Sequence, residues 1–135
     1  MKVLVDTSVW SLALRRSTTP VTLHHEIQKL TELILASQVV MVGAVRQEIL
    51  SGISSAQVFT SLKEKLDAWE DLQLNEKDYI TAATFFNSAR NQGIQGSHTD
   101  FLLCAIAHNH NLVIFTTDKD FDRYATILPI TLFKG

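Results

Sequence analysis

KVLVDTSVWSLAL, residues 2–14, sets the architecture of the chain. KVLV is a short β-prone run that halts at Asp6, and TSVWSLAL behind it reads as a helix. This strand–acid–helix unit recurs further along. In 22–36, Leu23, Ile27, Leu30 and Ile34 fall at i, i+4, i+7 and i+11, a helical period, with Thr22 or the residues before it as the expected cap. VVMV (39–42) reads as a buried strand and AVRQEIL (44–50) as a short helix ended by Gly52. A helical pattern covers 54–69, LQL (72–74) is a short strand, and a longer helix runs over 75–91 between an Asn75 cap and a Gly93 stop. Ser97 opens the helix HTDFLLCAIAHNH, LVIFT (112–116) is a strand, KDFDRYA a short helix, and ITLF (130–133) a last edge strand.

Strands written as continuous apolar runs and alternating with helices predict an α/β fold. It is three-layered, with helices on both faces of a mostly parallel sheet of four to five strands. In such open sheets, sites form at the carboxyl ends of the strands, near the switch in strand order.

At 135 residues the chain is expected to form one domain that buries roughly two-thirds of its unfolded surface. The single cysteine, Cys104, sits in the apolar run FLLCAIA, where a small hydrophobic role is expected and a reducing cytoplasm suits it. The N-terminus lacks a signal-type apolar region, and no apolar run approaches the ~18 residues that span a bilayer, so a cytoplasmic protein with no membrane association is expected. The formal net charge of −2 argues against a surface built for indiscriminate nucleic-acid binding, so any such partner must be held locally.

The acids carry the chemistry. Asp6 and Asp118 each follow a strand and precede a helix; each is either a simple helix cap or part of a shared site. Asp100 begins a helix whose next seven residues are all apolar, and its alternative role is a capping box with Ser97. Glu48 lies on the helix behind VVMV, which emerges at the same sheet edge; taken alone it reads as a solvated surface residue. Carboxylates converging without a matching cluster of Lys or Arg repel one another unless a cation intervenes. Oxygen-only donors select a hard divalent ion, Mg²⁺ or Mn²⁺, which can activate water against a phosphodiester.

Competing motifs fall away. The alternating Asp118, Asp120 and Asp122 are no calcium loop, since the sixth and twelfth positions are Arg123 and Pro129 instead of Gly and Glu. His24, His25, His98, His108 and His110 are spaced for surface or capping roles, and there is no phosphate-binding glycine loop or nucleophile elbow.

VDTSVW, RQEIL, HTDFLLCAIA and FTTDKDF, in that order and over nearly the whole chain, resemble the four motifs of the PIN-domain nucleases, and most of all their VapC-type toxin branch. The resemblance implies a metal-dependent endoribonuclease, the toxin of a toxin–antitoxin pair, inhibited by a VapB-type antitoxin and commonly a homodimer. Carried over position by position, it makes Asp6, Glu48, Asp100 and Asp118 the catalytic metal-binding acids, Ser8 and Thr116 their support, and Asp120 a further or alternative acid. Arg15, Arg16, Arg46 and Lys119 are the bases expected to meet RNA phosphates. Two other readings stay open: a non-catalytic PIN-fold binding module, and a receiver-like phosphoacceptor domain, for which the required acid pair and lysine are missing.

Overall fold

Strand β1 (Val3–Val5) lies fully buried at the centre of the sheet in the computed structural model, which describes residues 1–14 and 20–135. It pairs in parallel with β2 (Val39–Val40) on one side and β3 (Val113–Phe115) on the other, giving the order β2-β1-β3. The chain therefore leaves β1 toward one edge and returns across it to form β3, which puts the reversal of strand order at the β1/β3 boundary. The amide of Asp6 donates to the Phe115 carbonyl at 2.9 Å and closes that boundary at its carboxyl end.

Among the described residues three strands form, where four to five were expected. The two remaining candidates contribute one parallel bridge each, Met41 with Asp71 and Ile114 with Leu132. At the first, pairing stops because Asn75 already caps the next helix; at the second, Pro129 has no amide to extend a ladder.

Helices α1 (Thr7–Leu14), α2 (His24–Leu35), α3 (Gly43–Leu50), α4 (Ala56–Leu66), α5 (Glu76–Asn91), α6 (His98–Asn109) and α7 (Asp120–Tyr124) fall where the periodicity places them. The exception is the start of α2: a 3₁₀ turn over Val21–Leu23 leads into it, and no side chain caps it. Gly52 and Gly93 take φ of +82° and +75°, the left-handed conformation that ends α3 and α5 at little cost only for glycine. Helix α6 is buried nearly all round, with Phe101 and Leu103–Ala107 inside the core. Burial, with the nearby Asp100 and Asp6 charges, pushes the Cys104 thiol up to about 12, so it stays protonated and serves as packing.

One tie between helices was not foreseen. Asp78, fully buried, reciprocates the Asn75 cap and also accepts from Asn109 Nδ2 (2.9 Å) and His110 Nε2 (3.0 Å), clamping the start of α5 to the end of α6. Burial alone would raise its pKa, but the hydrogen bonds from His110, Asn109 and Asn75 outweigh it and the pKa is lowered. A carboxylate lowered in this way adds stability above its unfolded pKa, and the contribution is lost as pH falls through the lower folded value. Asp78→Asn is therefore expected to cost about 1–3 kcal/mol at pH 7. Its deficit against the parent chain should narrow below pH ~4, read by denaturant melts across pH; a deficit constant down to pH 2.5 would refute the clamp.

Candidate active site

The carboxyl end of β1 presents Asp6, buried at 7% exposure and held by two hydroxyls. Ser8 Oγ and Thr116 Oγ1 both donate to Asp6 Oδ2 at 2.8 Å. Having used their protons on Asp6, the two oxygens accept from the amides of Thr117 and Asp118, both at 3.0 Å. Two backbone N–H groups at the end of β3 thus fix one oxygen of an acid at the end of β1, and Oδ1 is left without a hydrogen bond among the described residues. Ser8 and Thr116, chosen from sequence as supports, are found in contact with Asp6.

Asp100, Asp118 and Asp120 each place a carboxylate oxygen within 4.8 Å of the others. Asp100 arrives from the first turn of α6, Asp118 from the loop after β3, and Asp120 from the first residue of α7. The capping box expected at Ser97 is half formed: Ser97 Oγ accepts from the Asp100 amide (3.0 Å), but the Asp100 carboxylate turns to the hydroxyl of Tyr124, which donates to Oδ2 at 2.6 Å. Asp118 Oδ1 accepts from the Asp120 amide at 2.9 Å, which braces the turn ahead of α7, whose cap position is Lys119.

Charge strains the cluster. Burial, opposed by hydrogen bonds from Tyr124 and Ser97 and reinforced by the charges of Asp118 and Asp6, leaves the Asp100 pKa raised. Burial, the hydrogen bond to Asp100 and the charges of Asp100, Asp120 and Asp118 raise that of Tyr124, which therefore remains a phenol able to donate. Among the described residues, the one cation paired with the cluster is Arg123, at 2.8 Å from Asp120 on its outer, half-exposed side. A set of hard oxygen donors that crowd, with no interior counter-charge among the described residues, fits a divalent metal ion.

The remaining residues divide. Glu48 is exposed outside this trio; its Oε1 accepts from Thr7 Oγ1 at 2.8 Å, which tethers it beside Asp6 through the next residue of the chain. Lys119 is exposed next to Asp118. Arg46 is spent elsewhere: Nε binds Asp71 (2.9 Å) and Nη1 the Leu66 carbonyl (3.0 Å), fastening the end of α4 to α3. Arg15 and Arg16 lie outside the described residues. Asp122 is exposed on α7.

Sequence reasoning missed Tyr124, Arg123, Thr7 and Gly96. The i, i+3 spacing of Asp120 and Arg123 was a usable signal; Tyr124 gave none, because its partner is 24 residues away. Gly96 is required by space: a Cβ there would collide with the Tyr124 hydroxyl and the Phe101 ring. Gly96→Ala is expected to displace Tyr124 from Asp100 and lower stability by about 1–3 kcal/mol, with altered tyrosine fluorescence as the readout; unchanged melting and fluorescence would refute the contact.

Comparison with known proteins follows the same lines. The family model of the PIN domain matches residues 3–127. Among solved structures, FitAcB from Neisseria gonorrhoeae is similar with a TM-score of 0.77 at 22% identity, covering 98% of this chain and 96% of that one. VapBC2 from Rickettsia felis bound to a DNA fragment from their promoter gives 0.72 at 18% identity, with 98% of each chain covered. DNA-bound VapBC from Salmonella typhimurium gives 0.75 at 16%, covering 98% and 97%. At these identities the likeness is one of fold. No curated protein matches the chain.

Proposed function

The chain belongs to the PIN-domain family of nucleases, and from that premise we propose that it is a metal-dependent endoribonuclease, the toxin of a VapC-type toxin–antitoxin pair. The observation that carries the reading is the approach of Asp100, Asp118 and Asp120 to within 4.8 Å, next to a hydroxyl-braced Asp6, with no cation of the described residues paired with them on the inner side. Asp6, Asp100 and Asp118 would hold the ion, with Asp120 able to complete the set and Glu48 acting from the rim. The donor chemistry suits Mg²⁺ or Mn²⁺. When bound, such an ion supplies a water of lowered pKa and charge neutralisation at the phosphodiester.

The chain's own residues prepare the site. Ser8 and Thr116 prevent Asp6 from rotating, and Tyr124 holds Asp100 by its Oδ2. Lys119, exposed beside Asp118, stands where an RNA phosphate would approach. The antitoxin partner is supported by a groove of about 740 Å³ between α1, α3 and α4, lined by Leu14, Ile53, Val58 and Leu62 and reaching Glu48 at the rim of the site. A homodimer is supported by the exposed Tyr79 and Ile80 on α5, beside an apolar recess formed with Phe86 and Leu102. Among the described residues no helix is long and apolar enough to cross a membrane, which agrees with a cytoplasmic site of action.

Incubating the purified chain with a mixed panel of structured and single-stranded RNAs in millimolar Mn²⁺ or Mg²⁺ is expected to give discrete cleavage products that EDTA suppresses. Cleavage that persists in EDTA would overturn the metal assignment, and an intact panel in both metals would overturn the nuclease reading.

A further inference from the structure

Glu26 lies in the first turn of α2, and its Oε2 atom is buried with no hydrogen-bond partner among the described residues. A buried carboxylate oxygen that accepts nothing is costly, and a donor reaching it from outside the described residues would relieve that cost. Glu26 lines a recess of about 340 Å³ together with Lys29, Thr116, Thr117, Phe133 and Lys134. The volume lies at the lower end of the roughly 300–1,000 Å³ of ordinary ligand pockets.

The recess shares a wall with the acid site. Thr116 donates to Asp6 and the Thr117 amide donates to Ser8, so whatever fills the recess is separated from Asp6 by one side chain. Its other lining suits a nucleotide. Phe133, partly exposed and tilted against Phe115 with ring centroids 4.9 Å apart, offers an aromatic face, and the exposed Lys134 offers a positive charge. Among the described residues Lys29 is engaged only by a 3.5 Å surface pair with Glu32, weak enough to exchange for a phosphate.

We propose that this recess receives the base of a guanosine flanking the scissile phosphate, with Glu26 accepting from its Watson–Crick edge. Guanine presents two adjacent N–H donors, N1–H and N2–H, to match the two oxygens of a carboxylate. Adenine, cytosine and uracil each set an acceptor lone pair beside their donor, and that lone pair would face a carboxylate oxygen. The inference rests on the nuclease reading for its substrate class and deepens it to a base preference.

Binding without turnover separates the two. Fluorescent single-stranded oligoadenylate octamers carrying one central guanosine, inosine, adenosine or 2′-deoxyguanosine are titrated into the Asp100→Asn chain in EDTA, with anisotropy as the readout. Guanosine is expected to bind about tenfold or more tighter than adenosine, inosine between them, and 2′-deoxyguanosine like guanosine. Glu26→Gln, added to that chain, should bring guanosine to the adenosine level. Equal affinity for all four octamers, loss on 2′-deoxy substitution alone, or a guanosine preference that survives Glu26→Gln overturns the proposal. Should Glu26→Gln fail to fold, the inosine and deoxy arms still decide it. A guanosine preference in a chain that cleaves no RNA would sink the nuclease reading and leave the pocket standing; cleavage without preference does the reverse.

Discussion

Asp100→Asn is expected to abolish RNA cleavage, by about a hundredfold or more, and at the same time to raise the melting temperature. The lower bound on activity follows from the 10- to 100-fold that loss of even a supporting residue typically costs at a metal site. The gain in stability follows from the sign of the pKa shift. Burial, with Asp118 and Asp6 nearby, raises the carboxyl pKa of Asp100 in the folded chain, so its charged form is worse off folded than unfolded. That cost is absent below the unfolded pKa and fully present above the folded one, hence present at neutral pH. Asparagine removes the charge and keeps an oxygen to accept from Tyr124, whose hydroxyl lies 2.6 Å from Asp100. Paired assays on one preparation, RNA cleavage in Mn²⁺ and a metal-free melt, check both halves. Retained cleavage would remove Asp100 from the machinery, and a lower melting temperature would show that its charge stabilises the fold. Function held at the expense of stability is what a preorganised acid site predicts.

Phe121→Ala is expected to produce the largest loss of stability, about 3–5 kcal/mol. Phe121 is fully buried, with its ring edge-on to Tyr124 at 5.1 Å, and Tyr124 in turn packs against Phe101 at 4.9 Å. These three rings are the anchor of α7, a five-residue helix too short to hold itself. Deleting the first ring loosens the hydroxyl that braces Asp100 and the turn that presents Asp118 and Asp120, so activity should fall even in the fraction that remains folded. Denaturant melts give the stability, and cleavage at a temperature where the variant is fully folded gives the second effect. Asp122→Ala, on the exposed side of the same helix, is the control and should stay within about 0.5 kcal/mol of the parent. Equal behaviour of the two variants would mean that α7 is not anchored through Phe121.

The sequence by itself determined the alternation of strands and helices, because a buried strand and a helix leave different periods in the order of apolar residues. It likewise placed the caps at Asn75 and Ser97 and the glycine stops at 52 and 93, which depend on neighbours a few residues away. It put Asp6 and Asp118 at strand ends, and from two such ends a shared site could be inferred. Tertiary structure alone decided how the acids divide. Asp120 joins Asp100 and Asp118 because α7 is turned by its aromatic anchor, whereas Glu48 stays at the rim on its tether to Thr7. Arg46, free in the sequence to meet RNA, is consumed by Asp71 and the end of α4, 20 to 25 residues along the chain. The Asp78 clamp and the Tyr124 brace span 31 and 24 residues. The physical reason is one of range. Periodicity and capping are local and leave their mark in consecutive residues, while the distance between two charges is set by packing among segments that the linear order does not relate.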